Sequence, residues 1–435
     1  MQLFFRVTSY SLIFVGYLIF MNLYAPLGIG WLEWHGQRIF NATEFLKING
    51  YLSSYGYSIW DTCNNCSLEY SNWKDKIYFS VHGISMIPYI LVNHFGGKEL
   101  LFVVGPVIDK LAIFACAAFI AELLIRSVKI QSHLPIFFVG SACFALFIIS
   151  PWAYKMFLAP WFEVYFLLFF LLGMLNFQRN FTYLGYLSFF CAGLFHLQWA
   201  LAIIIFYTLV IFAHRIYKRE FEMMKYFPSY EGSSNHSTRT IFALLVPVLV
   251  IIFIRLLAQQ YAEGGEGSSI FYRIGISGND IHNGGLIGAL QFLGGNRITH
   301  CIGEMGMQSL SGDLAIRIAI FNCALSIFGM AIISILSIIG TYFLMKISSI
   351  ATSIFLPLIF SLLIFIAVLQ QSLSVHLMGY SFIFSMIFAV GITNLMILLH
   401  NRFGSSVIGF IFSIPCLLGI LLLSIRVSFL TGANG

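Results

Sequence analysis

Long apolar runs recur from one end of this chain to the other and constrain its fold more than any other feature. Of the 435 residues, 59% are hydrophobic and only 9% are charged, with a mean hydropathy of +0.90. A soluble domain cannot solvate such a surface, whereas a lipid bilayer accommodates it. Backbone polar groups in lipid must be bonded internally, and the runs are too long for barrel strands. We therefore predict an all-α polytopic membrane protein.

The apolar runs predict about 11 transmembrane helices, joined by polar loops into a single transmembrane domain over residues 1–435. The predicted spans are 8–29, 99–125, 134–150, 161–178, 182–196, 197–213, 240–259, 314–345, 353–371, 381–400 and 405–427. The two spans that meet near His196 are short. They are either two helices that meet at one face of the membrane or one long tilted helix.

Basic residues predict the orientation of the chain. Most loop cations fall on one face, and the positive-inside rule makes that face cytoplasmic. This places a long first loop, 30–98, and a second loop, 260–313, on the outer face, with a polar linker, 214–239, in the cytoplasm. All seven tryptophans fall on or near the outer face. They either belong to an interfacial aromatic belt or line an outer cavity that binds sugars.

An acidic residue, Glu33, stands just after the first predicted span, within the segment Trp31 to His35. A carboxylate at the boundary of water and lipid can act as general base on a polar acceptor while a lipid-linked substrate stays in the membrane. His35 can orient that base or bind phosphate, and Trp34 can line the cavity. A carboxylate beside a histidine is also common on any wet surface, so it is the position of Glu33 that favours a catalytic role.

Glu163 is the second candidate catalytic residue. It begins a span that is otherwise apolar, where an ionisable side chain is costly unless it faces a cavity. The alternative is a snorkelling side chain at the helix N-terminus, which the helix dipole favours. Lys155, in the preceding turn, can pair with Glu163 or hold a phosphate.

The 260–313 loop carries cationic side chains among many glycines. Arg273, Arg297 and His300 suit a phosphate or pyrophosphate on a lipid, because cationic groups bind such anions strongly. The spacing of a nucleotide-binding loop is absent. A glycine-rich loop of this kind can equally be a re-entrant packing segment.

Further side chains near the predicted outer face can line the same cavity, namely His82, His196, His376 and Tyr380. No metal-binding spacing unites the histidines, so a metal cannot be named from the sequence. Each histidine can equally be an ordinary interfacial side chain.

This layout resembles the GT-C superfamily of polyprenyl-phosphate-dependent glycosyltransferases, which includes protein O-mannosyltransferases and lipid A aminoarabinose transferases. The segment Glu33 to Asn49 is similar to the family's acidic motif and following helix, although one carboxylate of its Asp-Glu-x-His motif is absent. Val81 to Ile90 is similar to the start of the family's juxtamembrane helix, and Phe95 to Glu99 to the break before its second span. Glu163 falls where the family often has a second acidic residue.

The resemblance implies a GT-C-like fold whose long first outer loop contains a juxtamembrane helix. It also implies an inverting glycosyltransferase that takes a sugar from a polyprenyl-phosphate donor in the membrane lipid. Glu33 would deprotonate the acceptor. Glu163 would position the acceptor or help to hold a divalent cation, and the resemblance does not decide whether such a cation is a cofactor. Arg273, Arg297 or Lys155 would neutralise the departing phosphate.

Two other classes of protein stay open. An enzyme similar to O-antigen ligases or polymerases would use a pyrophosphate-linked donor and carry its large loop late in the chain, as 260–313 does. A non-catalytic scaffold or transporter subunit is the other class, and a transporter would carry ionisable residues within its spans. Asp109, Lys110 and Glu122 are the candidates for such residues.

Partners and location are constrained only in part. The net charge of +6 is spread over many loops, so nucleic acid is not expected to bind, and protein partners stay unknown. A bacterial inner membrane with the site facing the periplasm and the endoplasmic reticulum both fit the topology. The compact chain favours the bacterial membrane.

Overall fold

A computed structural model describes residues 2–24, 35–51, 55–59, 67–69, 72, 78–128, 136–150, 162–217, 234–261, 332–367 and 373–403. This part of the chain is almost entirely helical. The helices, in chain order, are α1 Gln2–Tyr24, α2 His35–Asn49, α3 Ile87–Ser127, α4 Ile136–Ile149, α5 Phe162–Gln178, α6 Thr182–Phe195, α7 Leu197–Tyr217, α8 Ser234–Tyr261, α9 Ile332–Ile347, α10 Ser349–Ala367 and α11 Leu373–Phe403. One core of buried apolar side chains joins α1 to α11.

Four helical segments in the described part are long and apolar enough to cross a membrane: Gly83–Ser127, Leu197–Ile216, Thr238–Ala258 and Phe382–Arg402. Six further apolar stretches, within α1, α4, α5, α6, α9 and α10, are shorter, with 10–17 residues each. These helices are compatible with an all-α membrane protein, and the count of about 11 spans stays a prediction. The predicted span 405–427, residues 262–313 of the predicted loop 260–313 and residues 314–331 of the predicted span 314–345 lie outside the described residues.

The predicted spans from 99–125 to 240–259 correspond in order to α3 through α8. The first span differs, because α1 begins at Gln2 rather than near residue 8. The extension has a physical cause, since Arg6 in this first part of α1 forms an ion pair with a carboxylate of α3. A hydropathy pattern cannot detect such a pair.

The helix α3 consists of two pieces that join at Gly97. This residue has φ 65° and ψ −160°, a conformation that is essentially restricted to glycine. The break that the sequence predicts between Phe95 and Glu99 is therefore confirmed. Residues 87–96 form a first piece, which is called the juxtamembrane piece below after the predicted juxtamembrane helix, and the longer piece after Gly97 enters the apolar bundle.

The predicted first loop contains two short strands in addition to α2. Its strands β1 (Tyr57–Ser58) and β2 (Tyr78–His82) pair in antiparallel fashion, with Tyr57 opposite His82, and a 3-10 turn over Gly83–Met86 follows. The predicted juxtamembrane segment therefore becomes α-helical only at Ile87, because its first residues pair with a strand far earlier in the chain.

Buried polar contacts fix α2 on the juxtamembrane piece of α3. Asn93 is 1% exposed, and its Nδ2 donates to Thr43 Oγ1 at 3.1 Å and to Glu44 Oε2 at 2.8 Å. Because buried polar groups lose much free energy when they lack a partner, these bonds favour one register of α2.

Arg6 and Glu122 tie α1 to α3 further along the bundle. The Arg6 Nε lies 2.7 Å from Glu122 Oε1, and its Nη2 lies 3.0 Å from Oε2. The Tyr10 hydroxyl donates to the same carboxylate at 3.4 Å. Glu122, one of the transporter candidates from the sequence, is thus held by a bidentate ion pair.

Replacing Gly97 with alanine should lower the free energy of unfolding by roughly 1–3 kcal/mol, because a β-carbon disfavours this backbone conformation. The apparent melting temperature of the purified protein in detergent measures the change. Gly16→Ala in α1 is the matched control, since a β-carbon there meets nothing within 4 Å and alanine favours a helix. Equal melting temperatures for the two variants would contradict the expected strain.

Glu122→Leu should destabilise the protein by roughly 3–5 kcal/mol, because it leaves the Arg6 guanidinium in a largely buried place without its carboxylate. The double variant Arg6→Met with Glu122→Leu should recover most of that loss, since neither charge then remains. Thermal unfolding of the wild type, the single variant and the double variant in the same detergent tests this. A double variant as unstable as the single one would show that the loss comes from packing.

Candidate functional site

The described part of the structure contains the side chains of two predicted site residues, Glu163 and His196. For four others only the backbone is described: His35 begins α2, His82 ends β2, and His376 and Tyr380 lie in the first part of α11. The remaining predicted site residues lie outside the described residues, namely Glu33, Trp34, Lys155, Arg273, Arg297 and His300.

Glu163 and His196 meet at one point of the bundle. Glu163 Oε1 lies 3.3 Å from His196 Nε2, and the two side chains are 14% and 19% exposed. The backbone N–H of Trp199 donates to His196 Nδ1 at 3.4 Å, so Nε2 is the ring nitrogen that carries the proton toward the carboxylate. Two residues that were predicted from separate motifs therefore form one pair, which solvent can partly reach.

The backbone explains why the two side chains can meet. Glu163 is in the first turn of α5, where the helix dipole favours a carboxylate. His196 is the single residue between α6 and α7, with φ −148° and ψ 101°, so the chain forms two helices there rather than one long tilted helix. The prediction that both are short is correct for α6, with 14 residues, and wrong for α7, which has 21 residues and contains a segment long enough to cross a membrane. Both side chains thus project from helix ends.

A second carboxylate, Asp109, binds a residue of the same helix as Glu163, and the sequence did not place it in the site. Asp109 Oδ1 accepts a hydrogen bond from the Tyr165 hydroxyl at 2.9 Å and another from the Tyr89 hydroxyl. Asp109 and Tyr165 are each 5% exposed, and Tyr89 is fully buried. The sequence gives Asp109 only as a candidate ionisable residue of a transporter, and the fold supplies it with two phenol donors, one from the first piece of α3 and one from α5.

Aromatic contacts connect Asp109 to the Glu163–His196 pair. Tyr165 follows Glu163 by two residues on α5, and its ring stacks on Phe195 with centroids 5.4 Å apart. Phe195 directly precedes His196, and its carbonyl oxygen accepts a bond from Ser85 Oγ at 3.0 Å. The ends of α5 and α6 are therefore packed against the juxtamembrane segment at the place where the pair forms.

A buried cation, Arg255 in α8, was also missed by the sequence interpretation. It is 5% exposed and lies near Tyr57 of β1, whose hydroxyl donates to the Ile251 carbonyl at 3.5 Å. Burial raises the pKa of Tyr57 and the charge of Arg255 opposes that rise, so the phenol stays protonated at neutral pH. A lone arginine within the apolar run 240–259 was the available signal.

A metal site is not assembled by the described side chains. Among them, no group of three His, Cys, Asp or Glu residues is placed to hold an ion, and the pair Glu163–His196 offers only two ligands. The described residues also form an apolar groove that Leu124, Leu344 and Phe355 line. Its polar lining residue, Ser127, already donates its hydroxyl hydrogen to the Leu123 carbonyl, so the groove is not suited to recognise a sugar.

No family model, no curated protein and no solved structure matches this chain.

Glu163→Gln should change the melting temperature little, because the amide oxygen can still accept the hydrogen bond from His196 Nε2. Glu163→Leu removes the acceptor and should destabilise by about 1–3 kcal/mol, since the histidine donor then lacks its partner. Melting temperatures of the two variants in the same detergent test this difference. Equal losses would mean that the carboxylate charge, rather than the hydrogen bond, stabilises the helix ends.

Proposed function

We propose that this protein is an integral membrane glycosyltransferase that moves a sugar from a polyprenyl-phosphate donor to an acceptor hydroxyl, with inversion at the anomeric carbon. The observation that best supports the proposal is the partly exposed Glu163–His196 pair at the ends of α5 and α6. The pair lies against a folded first loop that follows the acidic residue Glu33. Such a place allows a polar acceptor and a lipid-linked donor to meet.

The juxtamembrane piece of α3 supports a substrate that comes from the membrane. Ile87, Leu91 and Phe95 are 44%, 53% and 80% exposed and recur every fourth residue, so they form one apolar face. Tyr89 and Asn93, on the opposite side, are buried in polar contacts. An exposed apolar face on such a helix favours a position in the interfacial layer of a bilayer, which is where the phosphate of a polyprenyl donor lies.

In the proposed mechanism Glu33 takes the proton of the acceptor hydroxyl. The acceptor oxygen then forms a bond to the anomeric carbon, while the bond from that carbon to the phosphate oxygen breaks. The electron pair leaves with the polyprenyl phosphate, whose charge Arg273, Arg297 or Lys155 neutralises, with His300 as a further donor. Glu163, oriented by His196, binds the acceptor.

The predicted cavity residues have the following places in this mechanism. Trp34 and His35 follow the base directly, and His82, His376 and Tyr380 border the sugar. The proposed location is a bacterial inner membrane with the site facing the periplasm. No step in this mechanism passes through a metal.

A transporter subunit is the second candidate, because Asp109 is a buried carboxylate in a membrane helix. Such residues commonly lie on ion or proton pathways. The two candidates differ in the role of Glu33, which the transferase needs and a transporter does not. They differ also in the charge of Asp109, which a proton pathway needs.

Transfer of labelled sugar in membrane vesicles tests the proposed function. The wild type should transfer sugar from at least one polyprenyl-phosphate donor in a panel that also contains pyrophosphate-linked donors. Glu33→Gln should reduce the rate by roughly 10²–10⁴-fold, the usual contribution of a general base. Glu163→Gln should also reduce it, with donor binding retained.

Glu99→Gln is the matched control for this assay, because Glu99 is an exposed carboxylate just after Gly97, and its variant should keep full activity. Transfer only from pyrophosphate-linked donors would favour the ligase or polymerase alternative. A wild type that transfers no sugar from any donor would overturn the proposal.

A further inference from the structure

Three separate segments of the chain meet at one oxygen atom, Asp109 Oδ1. Tyr89 belongs to the juxtamembrane piece of α3, Asp109 to the piece after the break at Gly97, and Tyr165 to α5. Both hydroxyls donate to this oxygen, and the two phenol oxygens lie 3.2 Å apart. The three side chains thus form one closed cluster.

The burial of the cluster makes its geometry specific. A carboxylate in an apolar interior loses much free energy unless donors replace its water. Asp109 is 5% exposed and Tyr89 is fully buried, so water cannot readily take the place of either phenol. The juxtamembrane piece and α5 are therefore held relative to the membrane piece of α3, because a shift of either would leave a buried polar group unsatisfied.

The cluster is connected to the Glu163–His196 pair through residues that are close to the pair in the chain, Tyr165 and Phe195. Tyr165 lies two residues from Glu163 in the same helix, so fixing its hydroxyl fixes the first turn of α5. The ring of Tyr165 also stacks on Phe195, which directly precedes His196. Ser85 adds a bond from the juxtamembrane segment to the carbonyl of Phe195, so the same segment holds both helix ends.

We propose that Asp109 is a positioning residue: through Tyr165 and Tyr89 it sets the distance between the helix ends that carry Glu163 and His196. Asp109 does not touch substrate in this role. Its effect on positioning does not depend on the reaction, whereas its effect on sugar transfer rests on the proposed function. The positions of Glu163 and His196 therefore depend on the position of the juxtamembrane helix.

Chemical bridging of the two helix ends tests the positioning directly. Glu163→Cys and His196→Cys are combined in one protein, and a short bifunctional thiol reagent bridges them. Mass spectrometry of the bridged peptide pair gives the rate without removal of the native cysteines. Asp109→Leu or Tyr165→Phe, added to this protein, should slow the bridging by roughly 5- to 30-fold, because the helix ends lose a buried bond that holds them.

Two control variants show whether a slower bridging rate comes from loss of the hydrogen bonds at Asp109. Asp109→Asn should keep the bridging rate, since its amide Oδ1 can accept both phenol bonds. Ser150→Ala removes a buried bond of 2.6 Å to Ser385 elsewhere in the core and should also leave the rate unchanged. Tyr165→Phe keeps the ring and its packing, so it serves if Asp109→Leu does not fold.

The same variants are then assayed for sugar transfer without the introduced cysteines. Tyr165→Phe should lower kcat and leave KM for the donor unchanged, whereas Asp109→Asn should keep most activity. An unchanged bridging rate in both Asp109→Leu and Tyr165→Phe would overturn the positioning role. An Asp109→Asn variant that keeps the bridging rate but loses all activity would contradict the proposal that Asp109 acts on the reaction only through positioning, because its charge would then be required.

The bridging and transfer results separate the two proposals. A wild type without sugar transfer, combined with slower bridging in Tyr165→Phe, would contradict the glycosyltransferase but support the positioning role.

Discussion

The hydrogen bonds to Asp109 connect the three segments on which the candidate site depends. Apolar side chains in a helical bundle pack almost equally well in several registers, since dispersion contacts have little direction. A buried carboxylate with two phenol donors accepts far fewer arrangements. The first turn of α5 therefore has a fixed position relative to the juxtamembrane piece of α3. The Glu163–His196 pair forms at this end of α5.

Polar contacts serve the same purpose elsewhere in the bundle. Arg6 and Glu122 join α1 to α3, and Asn93 joins α3 to the short helix α2 in the first loop. Where α9 crosses α11, a side chain of one helix binds the backbone of the other. Asn394 Nδ2 donates to the carbonyl of Gly340 at 2.8 Å. Small residues permit that approach, so a few polar and small positions specify an otherwise uniform apolar core.

The functional proposal joins a helix that favours the membrane interface to an acid–histidine pair beside it. In the proposed function, the exposed apolar face of residues 87–96 contacts lipid, and the buried polar face opposite it packs against the bundle. The break at Gly97 allows that helix to leave the direction of the membrane piece. A reaction between a lipid-linked donor and a polar acceptor needs such a boundary, and the charge of Glu163 lies next to it.

The sequence by itself determined the class of fold, the order of α3 to α8, the break at Gly97 and the candidates Glu163 and His196. The fold class, the helix order and Glu163 follow from local causes, namely hydropathy and an ionisable residue at the start of an apolar span, whereas the break at Gly97 is what the resemblance to the glycosyltransferase family implies. Only the tertiary structure decided that Glu163 faces His196, that Asp109 binds two tyrosines and that β1 pairs with β2. Those contacts join residues far apart in the chain, and local patterns carry no information about which helix faces meet.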